Sequence, residues 1–364
     1  MLPVENGLGF DKLVKLFEQT QTELQRQAAR SVDMALVVRN WLFGWYIVEY
    51  ENAGAERSQL YGKKLLNRLA GTLGKAGIKG ASTTNLRLFR KFYLTYEKIQ
   101  QTVSAKSFLL QIGQIDFEQM VSSELAGKFP IGWSHYVVLL TIDNAGERSF
   151  YEIETARNSW SVREMKRQIE SSLYERLALS RDKEQIKALS EKGQLVESAD
   201  DIIKDPYVLE FLNLEEKSGY SEHELETAII DKLEQFLLEL GRGFLFEARQ
   251  KRFTFDDDHF FVDLVFYNRL LRCYVLIDLK RDKLTHQDLG QMQMYVNYFD
   301  RYIKIDDEAP TVGIVLCHRK HDALVELTLP SDSNIYAAKY QLYLPSKEEL
   351  KQQIMKSLKE QERV

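Results

Sequence analysis

Cysteine is almost missing from this chain: its 364 residues include only Cys273 and Cys317. A disulfide framework is excluded by that count. Both cysteines fall inside predicted strands, where they serve as small core residues of a reducing compartment. No run of about 18 apolar residues occurs, so no membrane-spanning helix is expected. The N-terminal Met-Leu-Pro-Val-Glu-Asn lacks the basic-then-apolar order of a signal peptide. These absences predict a cytoplasmic protein without membrane contact. A glycine-rich phosphate loop, a dinucleotide fingerprint and a Ser-His-Asp order are absent as well, which excludes ATP-driven chemistry. No internal repeat or low-complexity tract is present.

A hydrophobic content of 44% and a charged content of 28% are ordinary for a soluble globular protein. A single core rarely grows past about 250–300 residues, so two domains are expected. The net charge of -5 hides an uneven distribution. Between Arg57 and Lys106 stand eleven bases and a single acid, Glu97, a local charge of +10. Acidic residues gather instead around 191–239. A basic block in an acidic chain suggests a polyanion-binding face; a solvated helical surface explains the charge equally well.

Residues 8–125 carry helical spacing, beginning with Leu13, Leu16, Phe17 and Leu24 and continuing through Val37, Trp41, Trp45, Ile47 and Val48. Trp41, Trp45 and Tyr46 suit a core or an interface. Leu65, Leu66, Leu69 and Leu73 predict a short helix closed by the glycine-containing turn 74–80. Ser82-Thr-Thr-Asn85 then starts another helix, with Leu86, Phe89, Phe92 and Tyr93 on one side. Helix, turn and helix match a helix-turn-helix arrangement. Its second helix would present Thr83, Thr84, Asn85, Arg87, Arg90 and Lys91, preceded by Lys79, to DNA. Two strands, His135–Asp143 and Ser149–Thr155, are predicted around an Asn144-Ala-Gly146 turn. Ser161 and Glu164 form a capping box opening a helix through Tyr174, with Val162, Met165, Ile169 and Leu173 inward. Residues 180–205 are a charged helical or flexible connector.

A second capping box, Ser221 with Glu224, leads a helix that turns Leu225, Ile229, Leu233, Phe236 and Leu240 inward and ends at Gly241. Strand Phe244–Gln250 follows. Next come two apolar, β-branched and aromatic runs, 261–268 and 273–280, around the short turn Arg269–Arg272, the pattern of a β-hairpin. Pairing Asn268 with Cys273 propagates to set Asp263 opposite Asp278, and strand alternation puts Lys280 on the face of Asp278. Facing carboxylates are destabilising unless offset, and a divalent cation is the simplest offset. A helix over Gln287–Tyr302, strands Val312–Cys317 and Tyr340–Leu344 and a polar last helix complete an α/β core. Cys317-His318 and His321 lack a matching fourth ligand and are expected to leave surface histidines rather than a zinc site.

Asp263, fourteen intervening residues and Asp278-Leu-Lys280 resemble the signature of the PD-(D/E)xK phosphodiesterase superfamily. Gln291-Met-Gln-Met-Tyr295 is similar to the Gln-xxx-Tyr pattern of its RecB-like branch. Gly132-Trp-Ser-His135, Trp160-Ser-Val-Arg163, Leu237-Leu-Glu-Leu-Gly241, Gly290-Gln-Met292 and Gly313-Ile-Val-Leu-Cys317 together resemble the bacterial YhcG-like family. The resemblance runs from about residue 30 over nearly the whole chain. The usual family residue at Asp278 is glutamate; aspartate keeps the charge and shortens the reach. Val262 stands where the superfamily name has proline.

The resemblance implies an α+β or α/β protein. A mainly helical, helix-turn-helix-like domain (1–178) that binds DNA or a partner would be followed by a connector (179–215) and a restriction-endonuclease-like mixed-sheet domain (216–364). It further implies Mg²⁺- or Mn²⁺-dependent hydrolysis of DNA by a structure-selective or defence-related endonuclease. Asp263, Asp278 and Glu226 would hold the metal, Lys280 and Gln291 would assist catalysis, and Arg249, Gln250 and Arg252 would contact double-stranded or branched DNA. A homodimer or higher oligomer and a protein partner for the N-terminal domain are expected. The rival expectation is a DNA-binding scaffold whose nuclease-like domain is cryptic.

Overall fold

The computed structural model describes residues 33–48, 50–51, 63–97, 126–179, 181, 183–214, 219–255, 257–320, 322–330 and 333–361. Within them the chain forms two compact units, 1–148 and 149–364.

The described residues of the first unit are mainly helical, as expected. Residues 33–48 form α1, followed by α2 (Lys63–Lys75), α3 (Thr83–Thr95) and α4 (Trp133–Leu139). The Ser82 hydroxyl accepts from the Asn85 backbone N–H and caps α3, which buries Leu86, Phe89, Phe92 and Tyr93. Leu86 and Phe89 lie among Ile47, Leu66, Phe43 and Trp133. Gly44 permits this approach: a Cβ there would collide with the Phe89 carbonyl and the Tyr93 side chain. Trp41 and Trp45 are core residues, while Tyr46 is partly exposed. The expected helix over Leu13–Leu24 lies outside the described residues.

The strands expected at His135–Asp143 and Ser149–Thr155 are helices instead. Residues 135–139 belong to α4, and α5 spans Ala145–Asn158, across the division between the units. Tyr136, Leu139 and Leu140 are buried with helical spacing. Asn144 is a helix cap rather than a hairpin turn, its Oδ1 accepting from the Glu147 backbone N–H at 3.0 Å.

The second unit opens with α6 (Val162–Glu170), α7 (Leu173–Leu179) and α8 (Lys183–Lys192). The Ser161–Glu164 capping box is present, but the helix expected through Tyr174 breaks at Ser172, whose φ is 54°. In the expected connector, β1 (Tyr207–Val208) joins the sheet. The remaining elements are α9 (Glu222–Asp231), α10 (Leu233–Leu240), β2 (Phe244–Phe255), β3 (Asp258–Asn268), β4 (Cys273–Lys283), α11 (His286–Tyr302), β5 (Val312–Arg319), α12 (Asp322–Thr328), β6 (Ile335–Gln341) and α13 (Lys347–Gln361). The last strand thus precedes the Tyr340–Leu344 position expected for it, and the single helix expected from Ser221 to Gly241 is two, parting at Lys232.

The six strands run in the order β1-β6-β5-β4-β3-β2. Strands β2, β3 and β4 pair antiparallel, while β4, β5, β6 and β1 pair parallel. The central β4 and β5 are apolar on both faces, as parallel strands covered on both sides must be. On one face Val275, Ile277 and Leu279 pack with Leu225, Ile229, Phe236 and Leu240 of α9 and α10. On the other, Leu276, Val315 and Cys317 pack with Leu289, Met292, Tyr295 and Phe299 of α11. Gly313 admits α11 closely, since a Cβ there would lie 2.7 Å from Met292 Cγ and Sδ. Both cysteines are buried and reduced.

Two strands part in the middle of this sheet. The β3–β4 register runs from Asn268↔Cys273 to Leu264↔Ile277. Past that point β4 continues beside β5, whereas β3 continues beside β2 to Asp258. Asp263 and Asp278 stand at the fork.

Candidate active site

The four-residue turn fixes the register at Asn268↔Cys273, and every later pair follows from it. One step past the last pair, the Asp263 side chain takes over from the ladder: Oδ2 accepts the Leu279 backbone N–H at 2.8 Å. Asp278 is 2% exposed, and its Oδ2 lies 2.9 Å from Lys280 Nζ. Buried Oδ2 meets that ammonium as an ion pair rather than through a well-aligned hydrogen bond. Burial, then the Asp263 carboxylate, push the Asp278 carboxyl up to about 7, against the opposing pull of Lys280. Burial depresses the Lys280 ammonium, but Asp278, Glu222 and Asp263 outweigh it and hold the group above its ordinary value.

Helix α9 and strand β2 close the second side. Glu226, 3% exposed, accepts from Arg249 Nε at Oε1 and from Gln250 Nε2 at Oε2, 2.7 Å away. The same Gln250 nitrogen donates to Asp263 Oδ1 at 2.9 Å. Arg249 also reaches Thr227 Oγ1 at 2.9 Å. On α11, Gln291 donates to the Tyr295 hydroxyl, which in turn donates to the Phe261 carbonyl at 2.8 Å. Burial raises the Tyr295 phenol, the Gln291 hydrogen bond opposes this, and the charges of Asp278 and Asp263 add to the rise.

Asp263, Asp278, Lys280, Glu226, Arg249 and Gln250 therefore form one contact network. Gln291 stands one residue removed, through Tyr295. Arg252 lies further along the β2–β3 arm, against His259, whose Nε2 is 2.8 Å from Nη2. Sequence reasoning passed over Glu222, the residue after the Ser221 cap: it lies 3.9 Å from Lys280 Nζ and accepts the Arg281 backbone N–H at 3.2 Å. Its position directly after a capping box, on the helix leading into the sheet, was the signal available for it.

In the first unit, Thr84, Arg87, Lys91 and Lys79 are exposed. Arg90 pairs with Glu51 at 2.7 Å, and Lys91 Nζ donates to the Leu140 carbonyl at 2.6 Å. Thr83 bonds to Asn67 at 3.0 Å, and the Asn85 amide donates to the Gly80 carbonyl at 2.8 Å. Cys317 is core; His321 lies outside the described residues.

The donor set at the fork fits a hard divalent cation. Two carboxylates adjoin, one of them buried with a poorly aligned ammonium as its one close cation, and the like charge between them calls for compensation. Asp263 and Asp278 are the residues that would hold it. The Glu226 oxygens are taken by Arg249 and Gln250, and among the described residues no three His, Cys, Asp or Glu side chains converge as a ligand set.

Fork, acidic pair and lysine are the parts of a PDDEXK nuclease, and comparison with known proteins gives the same class. Residues 200–355 match the model of the YhcG PDDEXK nuclease domain, and residues 16–176 that of the DUF1016 N-terminal domain. The Escherichia coli (strain K12) protein "Putative nuclease YhcG" is 39% identical over 358 residues, 95% of this chain and 93% of that one. The chain belongs to the YhcG family. Among solved structures, a repair endonuclease from Pyrococcus abyssi aligns with TM-score 0.24 and 20% identity over 35% of this chain and 50% of its own. An EndoMS–dsDNA complex aligns with TM-score 0.24 and 18% identity, covering 37% and 51%. Both superpose too loosely to bear on fold or substrate. No helix among the described residues is long and apolar enough to cross a membrane.

Proposed function

We propose that this protein is a metal-dependent DNA endonuclease hydrolysing phosphodiester bonds at the Asp263–Asp278–Lys280 fork, with Mg²⁺ or Mn²⁺ as cofactor. The supporting observation is the buried Asp278 carboxylate that faces a second carboxylate, with the Lys280 ammonium at its edge 2.9 Å away. A bound divalent cation lowers the pKa of a water and offsets charge on the phosphate. Asp263, with one oxygen on the Leu279 N–H and the other on Gln250, is held in a single orientation to receive it. Lys280 orients the attacking water and stabilises charge building on the phosphoryl oxygens. Glu226 anchors this side of the site, and Gln291 acts through Tyr295 on the strand that carries Asp263.

The substrate we infer is double-stranded or branched DNA, in repair or in defence against foreign DNA. Arg249 and Arg252 flank Gln250 on β2, and Lys79, Thr84 and Arg87 lie exposed about the second helix of the helix-turn-helix. We divide the work accordingly: 1–178 binds DNA or a partner protein, and the sheet domain, which takes in β1 of the expected connector 179–215, cuts, with a dimer suited to cleaving both strands.

A substrate panel tests this: linear, nicked, flap, four-way-junction and single-stranded DNA, with wild type and Asp278→Ala in Mg²⁺ and in EDTA. Wild type is expected to cut at least one branched or duplex substrate, and EDTA or the substitution to stop it. No cleavage of any substrate by wild type would favour a scaffold with a cryptic domain.

A further inference from the structure

Gln250 has an unusual backbone for a residue with a long side chain. Its φ of 48° lies in the left-handed region, within strand β2 and beyond the register shift between Phe246 and Ala248. The β2–β3 ladder pairs Arg249 with Leu264 and Lys251 with Val262, so the kink falls opposite Asp263. Strain of this kind persists where the surrounding structure enforces it, and it clusters at functional sites. Here it aims one amide nitrogen at two carboxylates, 2.7 Å from Glu226 Oε2 and 2.9 Å from Asp263 Oδ1. An amide –NH₂ carries two hydrogens, one for each acceptor. The opposite amide orientation would set a carbonyl oxygen against two anions.

The network is closed around Asp263. Arg249 fixes Glu226, Glu226 fixes Gln250, Gln250 fixes Asp263 Oδ1, and the Leu279 N–H fixes Oδ2. Each Asp263 oxygen spends one lone pair on these bonds and keeps another for a cation. A neutral donor is what this position requires: a lysine would compete with the metal as a charge, and an apolar residue would release the carboxylate.

We propose that Gln250 is a positioning residue, whose amide ties Asp263 to Glu226 and presents the Asp263 carboxylate to the divalent cation, rather than a contact to DNA. The proposal rests on the metal-dependent reading of the fork. Glu226 then acts on the metal site through Gln250.

The test is calorimetric titration of Mn²⁺ into full-length wild type, Gln250→Ala and Gln250→Gly. Binding of flap DNA in Ca²⁺ is followed by anisotropy, and kcat and KM are measured in Mn²⁺. Glycine accepts the left-handed φ without strain, so Gln250→Gly removes the amide and relaxes the backbone. Losing an outer partner of a metal ligand weakens metal binding about 10–100-fold. Both variants are expected to lose Mn²⁺ affinity in that range and to lower kcat at fixed metal. KM for DNA and affinity in saturating Ca²⁺ should stay at the wild-type value, and raised Mn²⁺ should recover rate. Unchanged Mn²⁺ affinity in folded Gln250→Gly overturns the proposal, as does weakened DNA binding at saturating metal. Wild type that takes up no Mn²⁺ contradicts the metal-dependent reading itself; wild type that binds Mn²⁺ no better than Gln250→Gly contradicts this inference alone.

Discussion

Glu239 and Asp278 are both carboxylates buried in the second unit, and their surroundings send them in opposite directions. Glu239 is fully buried on α10, with Arg176 Nη1 at 2.5 Å, Arg167 Nη1 at 3.5 Å and the Val208 backbone N–H at 3.0 Å. Its own carbonyl accepts from Lys204 Nζ. Burial alone would raise it, but Arg176, Lys204 and Arg167 overcome burial and hold it down at about 2. Asp278 meets the same burial with a carboxylate beside it and one ammonium at its edge, and rises to about 7. A buried acid whose oxygens are saturated by cations and N–H groups is part of the scaffold. One left short of partners is where a ligand belongs.

Substitution should separate the two regions most sharply. Asp278→Ala is expected to cost on the order of 10³-fold or more in cleavage without lowering the melting temperature, since it removes a buried carboxylate that faces a like charge. Cleavage of flap DNA and a thermal melt measure both. Arg176→Ala should do the reverse. It strips buried Glu239 of its nearest cation and leaves only the longer Arg167 contact at 3.5 Å, at a cost of up to about 3–5 kcal/mol in urea unfolding, while kcat of the folded fraction stays at the wild-type value.

The pH dependence of folding probes the same cluster, where Arg176, Arg167, Lys204 and Glu210 face Glu239. The folded Glu239 pKa lies below its ordinary 4.5, so its contribution is present above that value and lost as pH falls toward about 2. Lys204 is pushed down from 10.5 to about 8 by burial, which outweighs the pull of Glu239. The unfolded chain therefore holds more protons between those values, and this group makes stability rise with pH from about 8 to 10.5. The urea midpoint should follow both trends, and Lys204→Met should remove the alkaline rise.

The smallest expected effect concerns the basic helix. Arg87→Ala combined with Arg90→Ala should reduce the salt slope of DNA binding by about 1 rather than 2, because Glu51 already neutralises Arg90. A slope unchanged by the double substitution would reassign α3 to protein contacts.

Much of the fork was legible because local rules fix it. A short turn sets one pair, strand alternation sets the rest, and Asp263, Asp278 and Lys280 converge without tertiary knowledge. The capping boxes at Ser161 and Ser221 were legible for the same reason. What failed depended on tertiary context. His135-Tyr-Val-Val-Leu-Leu has strand composition, yet burial of Tyr136, Leu139 and Leu140 makes it helical. Asn144 belongs equally to turns and helix caps, and only the Glu147 N–H bond decides. Glu239 sits in an apolar Leu-Leu-Glu-Leu run where nothing local announces three cationic partners. The Gln250 kink depends on a strand pairing, and its role was hidden behind the neighbouring arginines.

The most direct test of the fork is Mn²⁺ uptake, followed by calorimetry in wild type, Asp263→Ala and Asp278→Ala at pH 8. Saturable binding by wild type, lost in both variants while Arg176→Ala retains it in its folded fraction, is the predicted outcome. Equal Mn²⁺ binding by wild type and Asp278→Ala would contradict the account.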